Sequence, residues 1–311
     1  MEKRIKGGGG LMDTTGRSSV RKYGGLNGYG HNFSRPNRIS ALSNGYRLGR
    51  MIRANSIIAT SFDLSQYAPD VMDQNQTGSC EGHGWSCAIA ASSTSNGVPL
   101  GYVPSPLGIY QLGRACERII NDLPNTTPLT DSGTITSIVC DAMRMWGIRP
   151  TMAPVTLPNG ESVNSDCCIT TVNLEPELVQ LEDCKQLLNE QPILSCLERS
   201  GTSAETLAGL VGDLQFAFSQ GKAVVFATEV DEAFEDNDGT TVITAPGESL
   251  GGHCLCALGG QFVGGNSPEN YQLLFQNSWG LLWGKLGRAV ADARFIAQAS
   301  DWTAVPGWGL K

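Results

Sequence analysis

The hydrophobic pattern of this chain changes period near residue 221, and that change limits the folds open to it. Upstream, apolar residues recur at three- and four-residue spacing: Ile135, Ile138, Val139, Ala142, Met143 and Trp146, then Leu207, Leu210, Val211, Leu214 and Phe218. That spacing lines one face of an α-helix. Downstream, Ala223 to Thr228, Cys254 to Leu258 and Leu273 to Phe275 are continuous apolar runs of strand length. Helices first and strands later predict an α+β architecture with a helical half and a sheet half. A cleft between two such halves is a natural place for a site.

Punctuating residues divide the helical half. After an extended stretch from Leu64 to Val71, a small-residue helix is expected to start at Cys80 and end before the turn signal Asn96-Gly97. Ser105-Pro106 reads as an N-cap with proline at the first helical position, and Ile109, Tyr110, Leu112, Cys116, Ile119 and Ile120 give that helix a buried side. Gly147 closes the next helix. Residues 150–173, rich in Pro, Asn, Ser and Thr, read as loop. One further helix carries Leu178, Leu181, Leu187 and Leu188; the last is preceded by the capping-box pair Thr202 and Glu205 and ended by Gly221.

The net charge of -8 conceals an asymmetry. Residues 1–55 hold eleven Lys or Arg and two acids, Glu2 and Asp13, a balance of +9, together with eleven glycines. The rest of the chain therefore carries -17. A segment so poor in apolar surface does not fold alone. Residues 1–60 are read as a basic glycine-rich arm that orders against something acidic, and residues 61–311 as the folded domain. Three contacts fit: the chain's own acidic domain, a protein assembly partner, which is the expected one, and nucleic acid, with no readout motif to support it. The basic N-terminus has no apolar stretch behind it, so no export signal is expected, and no apolar run is long enough to cross a membrane.

The chain has three histidines and ten cysteines. His31 lies in the arm. His83 stands three residues after Cys80 on the same helix turn, where a base would have restricted aim, and is read as structural or pocket-lining. His253 follows Gly251-Gly252 at the start of an apolar strand. Cys254 and Cys256 read as small core residues, whereas Cys167-Cys168 lie in a polar stretch and are the candidates for a disulfide or an intersubunit bridge.

Three blocks then stand in order: Asp73 to Cys80, Gly251-Gly252-His253, and Gln276-Asn277-Ser278-Trp279-Gly280 followed by Trp283-Gly284. This order resembles the papain-like cysteine peptidase family. Ser105-Pro106-Leu107 with Tyr110 and Arg114, Asp131-Ser132-Gly133-Thr134, and Gln220 to Val225 are similar to its bacterial and phage-borne branch, so the resemblance spans roughly residues 62–298.

The resemblance implies a two-lobed fold, a helical half plus an antiparallel β half with the active-site cleft between them. It implies Cys80 as nucleophile, His253 as its base, Asn277 orienting the ring, and Gln74 with the Cys80 backbone N–H as oxyanion hole. The thiolate is the attacking species, and a helix N-terminus together with a protonated histidine favours it. Trp279 would shield the histidine–asparagine contact. No cofactor or metal is implied; the substrate would be protein or peptide.

Two positions depart from the family pattern. Thr77 stands where secreted members carry a disulfide cysteine, and Glu81 where animal and plant members carry tryptophan. Glu81 is read as an exposed first-turn acid that suits the helix dipole but opposes a thiolate. The leading expectation is an endopeptidase processing proteins of its own assembly, in a bacterial cytoplasm or a phage virion. The alternative is a structural or docking component of a phage particle on the same fold, latent or inactive. An amidase or transglutaminase-like use of the triad is a third.

Overall fold

The computed structural model describes residues 61–148, 151, 154–156, 162–164, 172–173, 195–197 and 204–305. The basic arm, the segment with Leu178 to Leu188, and Cys167-Cys168 lie outside the described residues.

A helical layer comes first. Helix α1 (Cys80–Ser95) is buried from Cys80 to Ser93, which only a helix of small residues tolerates amid close neighbours. Two glycines make the approach close. A Cβ at Gly82 would meet the Pro106 carbonyl oxygen at 1.9 Å, and one at Gly84 the Cys254 sulfur at 2.9 Å. Helix α2 (Pro106–Ile120) starts as its sequence requires, with Ser105 Oγ accepting from Gly108 N–H at 2.9 Å. Ile109, Tyr110, Leu112 and Cys116 are buried as expected, while Ile119 is exposed. Helix α3 (Thr136–Trp146) ends at Gly147, whose φ of 82° is the left-handed conformation that favours glycine. Helix α4 (Ala204–Ser219) buries Leu207, Leu210, Val211, Leu214 and Phe218.

The sheet is antiparallel throughout its named strands. Strand β5 (Val224–Val230) pairs with β6 (Gly251–Phe262), β6 with β7 (Tyr271–Gln276), and β7 with β8 (Arg288–Ala291). On the other side β9 (Ser300–Ala304) lies between β5 and β4 (Ser195–Leu197), and β1 (Ser61–Asp63) also joins β6. An aromatic cluster fills the sheet's core: Phe226 stacks on Trp302 at 4.5 Å, and Phe275 packs edge-on to Phe226 at 6.1 Å. The short helices α5 (Glu232–Glu235) and α6 (Ala293–Gln298) add Phe234 and Phe295 to it.

Two sequence expectations are corrected. Leu64 to Val71 is not extended throughout: Ser65–Tyr67 forms a 3-10 turn, with Ser65 N–H bonded to Asp63 Oδ1 at 2.8 Å. The stretch 150–173 is not all loop, since Pro154–Thr156 (β2) and Ser162–Asn164 (β3) form a two-stranded hairpin. Three-residue strands are too short for a periodic signal.

Candidate active site

The fold places Cys80 and His253 on adjoining elements, Asn277 just after a third, and Gln74 in a turn. Cys80 is the first residue of α1, the helix that lies against β6. His253 lies on β6, paired across from Thr228 of β5, and is fully buried. Asn277 follows the last residue of β7, whose register opposes Gln276 to Cys256. Antiparallel pairing thus places the 253 and 277 side chains together although 24 residues separate them.

Their contact is direct: the His253 Nε2 and Asn277 Oδ1 atoms are 2.7 Å apart. Asn277 Oδ1 also accepts from Ser278 N–H at 2.7 Å. An oxygen accepting from both sides requires Nε2 to carry its proton, which leaves Nδ1 as the nitrogen that exchanges one. Trp279, fully buried, lies 4.6 Å from the His253 ring at 32°, and Phe234 meets that ring edge-on at 6.1 Å. The expected shielding by Trp279 is therefore present.

Gln74 sits in a turn held to the asparagine segment. Its N–H donates to the Ser278 carbonyl at 2.8 Å, and Ser278 Oγ donates back to the Gln74 side-chain oxygen. The amide nitrogen donates to the Thr77 carbonyl at 2.7 Å. Ser79 precedes α1 but does not cap it with its side chain. Its hydroxyl lies 2.7 Å from Thr77 Oγ1 and 3.3 Å from His83 Nδ1. Ser79 thus leaves the helix N-terminus uncapped by its own side chain, and Cys80, as the first helical residue, sits at the positive end of α1.

His83 is structural, as expected. Its Nδ1 donates to the Ser79 carbonyl at 2.9 Å, and burial pulls its pKa down to about 4 against the smaller opposing effects of that bond and of Asp73. A small cavity borders it, lined also by Cys87, Cys254, Asn277 and Ser278. Cys80, Cys87, Cys116, Cys140, Cys254 and Cys256 are buried free thiols. Burial pushes the Cys254 thiol up, reinforced by Glu81 and Cys80, in keeping with its reading as a core residue.

Glu81 corrects the sequence reading. It is fully buried, not exposed, and its Oε1 accepts from Thr136 Oγ1 at 2.9 Å. A helix enclosed on every side leaves its first-turn acid no path to water. Sequence reasoning also passed over Ser278 and Asp131 as contacts. Ser278 stands beside Asn277 and was within reach of the block; nothing local ties Asp131 to residue 78. Among the described residues, no group of three or more His, Cys, Asp or Glu is placed to hold a metal ion.

A cysteine opening a buried helix, facing a sheet that carries the histidine–asparagine pair, defines the papain-like α+β fold, and the chain has it. No family model and no curated protein sequence matches the chain. Solved structures do. Xylellain, a cysteine protease from Xylella fastidiosa, superposes with a TM-score of 0.62 at 18% identity, over 93% of this chain and 99% of that one. Procathepsin B S9 from Trypanosoma congolense gives 0.54 at 12% identity, over 82% and 80%. The bromelain protease from Ananas comosus, solved with the E64 inhibitor, gives 0.51 at 14%, over 80% and 100%.

Proposed function

We propose that the chain is a cysteine peptidase. Cys80 Sγ, as thiolate, attacks a peptide carbonyl carbon; the new S–C bond gives a tetrahedral oxyanion held by the Gln74 amide and the Cys80 N–H. The C–N bond breaks as His253 delivers its Nδ1 proton to the leaving amine, and a thioester remains. Water then attacks the thioester carbon as His253 takes one of its protons, and the C–S bond breaks to release the carboxylic acid and restore the thiolate beside the protonated His253. Asn277 keeps the imidazole in the orientation that serves both transfers.

The observation that carries this reading is the 2.7 Å His253–Asn277 contact on strands packed against the helix that Cys80 opens. Protein or peptide substrates follow from the reaction. Proteins of the chain's own assembly, contacted through the basic arm of residues 1–60, are the substrates we favour; the bacterial or virion setting rests on the sequence resemblance. Hydrolysis of fluorogenic peptides and casein by wild type, Cys80→Ala and His253→Ala tests it. Each variant should lose about 1000-fold or more; hydrolysis that survives in Cys80→Ala would sink the reading.

One observation favours a latent form. Cys80 and His253 both have 0% exposure, so a substrate reaches the thiol only after the site opens. A lag before hydrolysis, abolished by limited proteolysis, is the expected sign.

A further inference from the structure

Gly78, two residues before Cys80, is gripped by a carboxylate 53 positions along the chain. Gly78 N–H donates to both oxygens of Asp131, at 2.9 Å and 3.1 Å. Asp131 Oδ1 also accepts from the Tyr110 hydroxyl at 2.7 Å, and that hydroxyl accepts from Gly133 N–H at 2.9 Å. Arg114 lies over the Tyr110 ring, 4.0 Å from its centroid, and donates to the Thr130 carbonyl at 2.6 Å, to Asn173 Oδ1 at 2.9 Å and to the Val172 carbonyl. Helix α2 therefore holds the 130–133 segment, and that segment holds Gly78. Burial raises the Tyr110 pKa, with Arg114 opposing and Asp131 reinforcing, so its hydroxyl remains a donor to Asp131.

Gly78 lies between the two groups assigned to the oxyanion hole, four residues after Gln74 and two before Cys80. The near end of this loop is closed upon itself, with Thr77 N–H on the Gln74 carbonyl at 3.2 Å and the Gln74 amide on the Thr77 carbonyl. The far end has the charged acceptor. A charge-assisted bond is stronger and more directional than a neutral one, and oxyanion donors act only when preorganised.

We propose that Asp131 is a positioning residue: by fixing Gly78 it sets the Cys80 backbone N–H for the oxyanion. This rests on the peptidase reading. The test compares wild type with Asp131→Ala, Asp131→Asn and Tyr110→Phe in peptide hydrolysis and in amide hydrogen exchange of Gly78 and Cys80. Asp131→Ala should lower kcat about 30-fold with KM nearly unchanged, the size expected when a catalytic group is slightly misplaced. Asp131→Asn, which keeps one acceptor oxygen, should recover part of the loss. Gly78 exchange should quicken in Asp131→Ala while Ala88 to Ala91 inside α1 keep their protection. If Asp131→Ala does not fold, Tyr110→Phe carries the same test, with a smaller loss of kcat and faster Gly78 exchange. Unchanged kcat and unchanged Gly78 exchange in the folded variants overturn the proposal. Should wild type cleave no peptide even after limited proteolysis, the peptidase reading and the positioning role fall together, whereas unchanged kcat in an active background overturns the positioning role alone.

Discussion

Gln74 and Ser278 bind each other twice: the Gln74 N–H donates to the Ser278 carbonyl at 2.8 Å, and the Ser278 hydroxyl donates to the Gln74 side chain. Segments 204 residues apart are locked at the point where the proposed oxyanion donor meets the histidine–asparagine block. The side-chain bond fixes which way the Gln74 amide faces.

Removing that bond should cost catalysis more than binding. Ser278→Ala is expected to lower kcat several-fold with KM little changed, and Gln74→Ala to lower kcat about 100-fold, the scale of one lost oxyanion donor. Steady-state kinetics on a fluorogenic peptide checks both. A Ser278→Ala enzyme altered only in KM would show that the bond serves substrate binding.

Asn277→Ala leaves the His253 ring without its 2.7 Å partner. The expected result is a kcat lowered about 10- to 100-fold, because a ring that rotates or changes tautomer presents the wrong nitrogen. Asn277→Asp, which keeps an acceptor oxygen, should retain more activity than Asn277→Ala; the reverse order would contradict an orienting role.

His83 makes the fold sensitive to acid. Its folded pKa of about 4 lies below the usual histidine value of 6.5. The unfolded chain therefore binds a proton first as pH falls, and stability is lost between about 6.5 and 4. The full loss is about 3 kcal/mol for one fully buried group. Urea titrations at several pH values should show a shallower loss in His83→Gln than in wild type. Equal slopes would place the acid sensitivity elsewhere.

Glu81 is buried with Thr136 as a hydroxyl donor at 2.9 Å. Thr136→Val keeps the shape and removes the donor, and should lower stability by about 2 kcal/mol, the cost of a weakened buried carboxylate. A midpoint unchanged in urea would show that other groups carry this carboxylate.

How much of this was legible follows from which residues act locally. The start of α2 at Ser105-Pro106, its buried Ile109, Tyr110 and Leu112, and the stop of α3 at Gly147 are decided by near neighbours, and the sequence carried them. Strand β6 runs from Gly251 to Phe262, well past the apolar run at 254–258. Gly259, Gly260 and the register shift after Ala257 interrupt its pattern. Strands β8 and β9 and helix α6 are too short to announce themselves. The burial of Glu81 could not be read, because a helix covered on all sides has no polar face to assign. Asp131 was visible as part of a block, but its hold on Gly78 is a tertiary contact that no local spacing records.

The central claim is that Cys80 is a nucleophile activated by His253. Treatment with an epoxide thiol probe, followed by peptide mapping in a mass spectrometer, tests it most directly. The account predicts one adduct, on Cys80, hastened by limited proteolysis, absent from Cys80→Ala and slowed in His253→Ala. An adduct on Cys254 or any other cysteine that persists in Cys80→Ala, or labelling indifferent to His253, would contradict it.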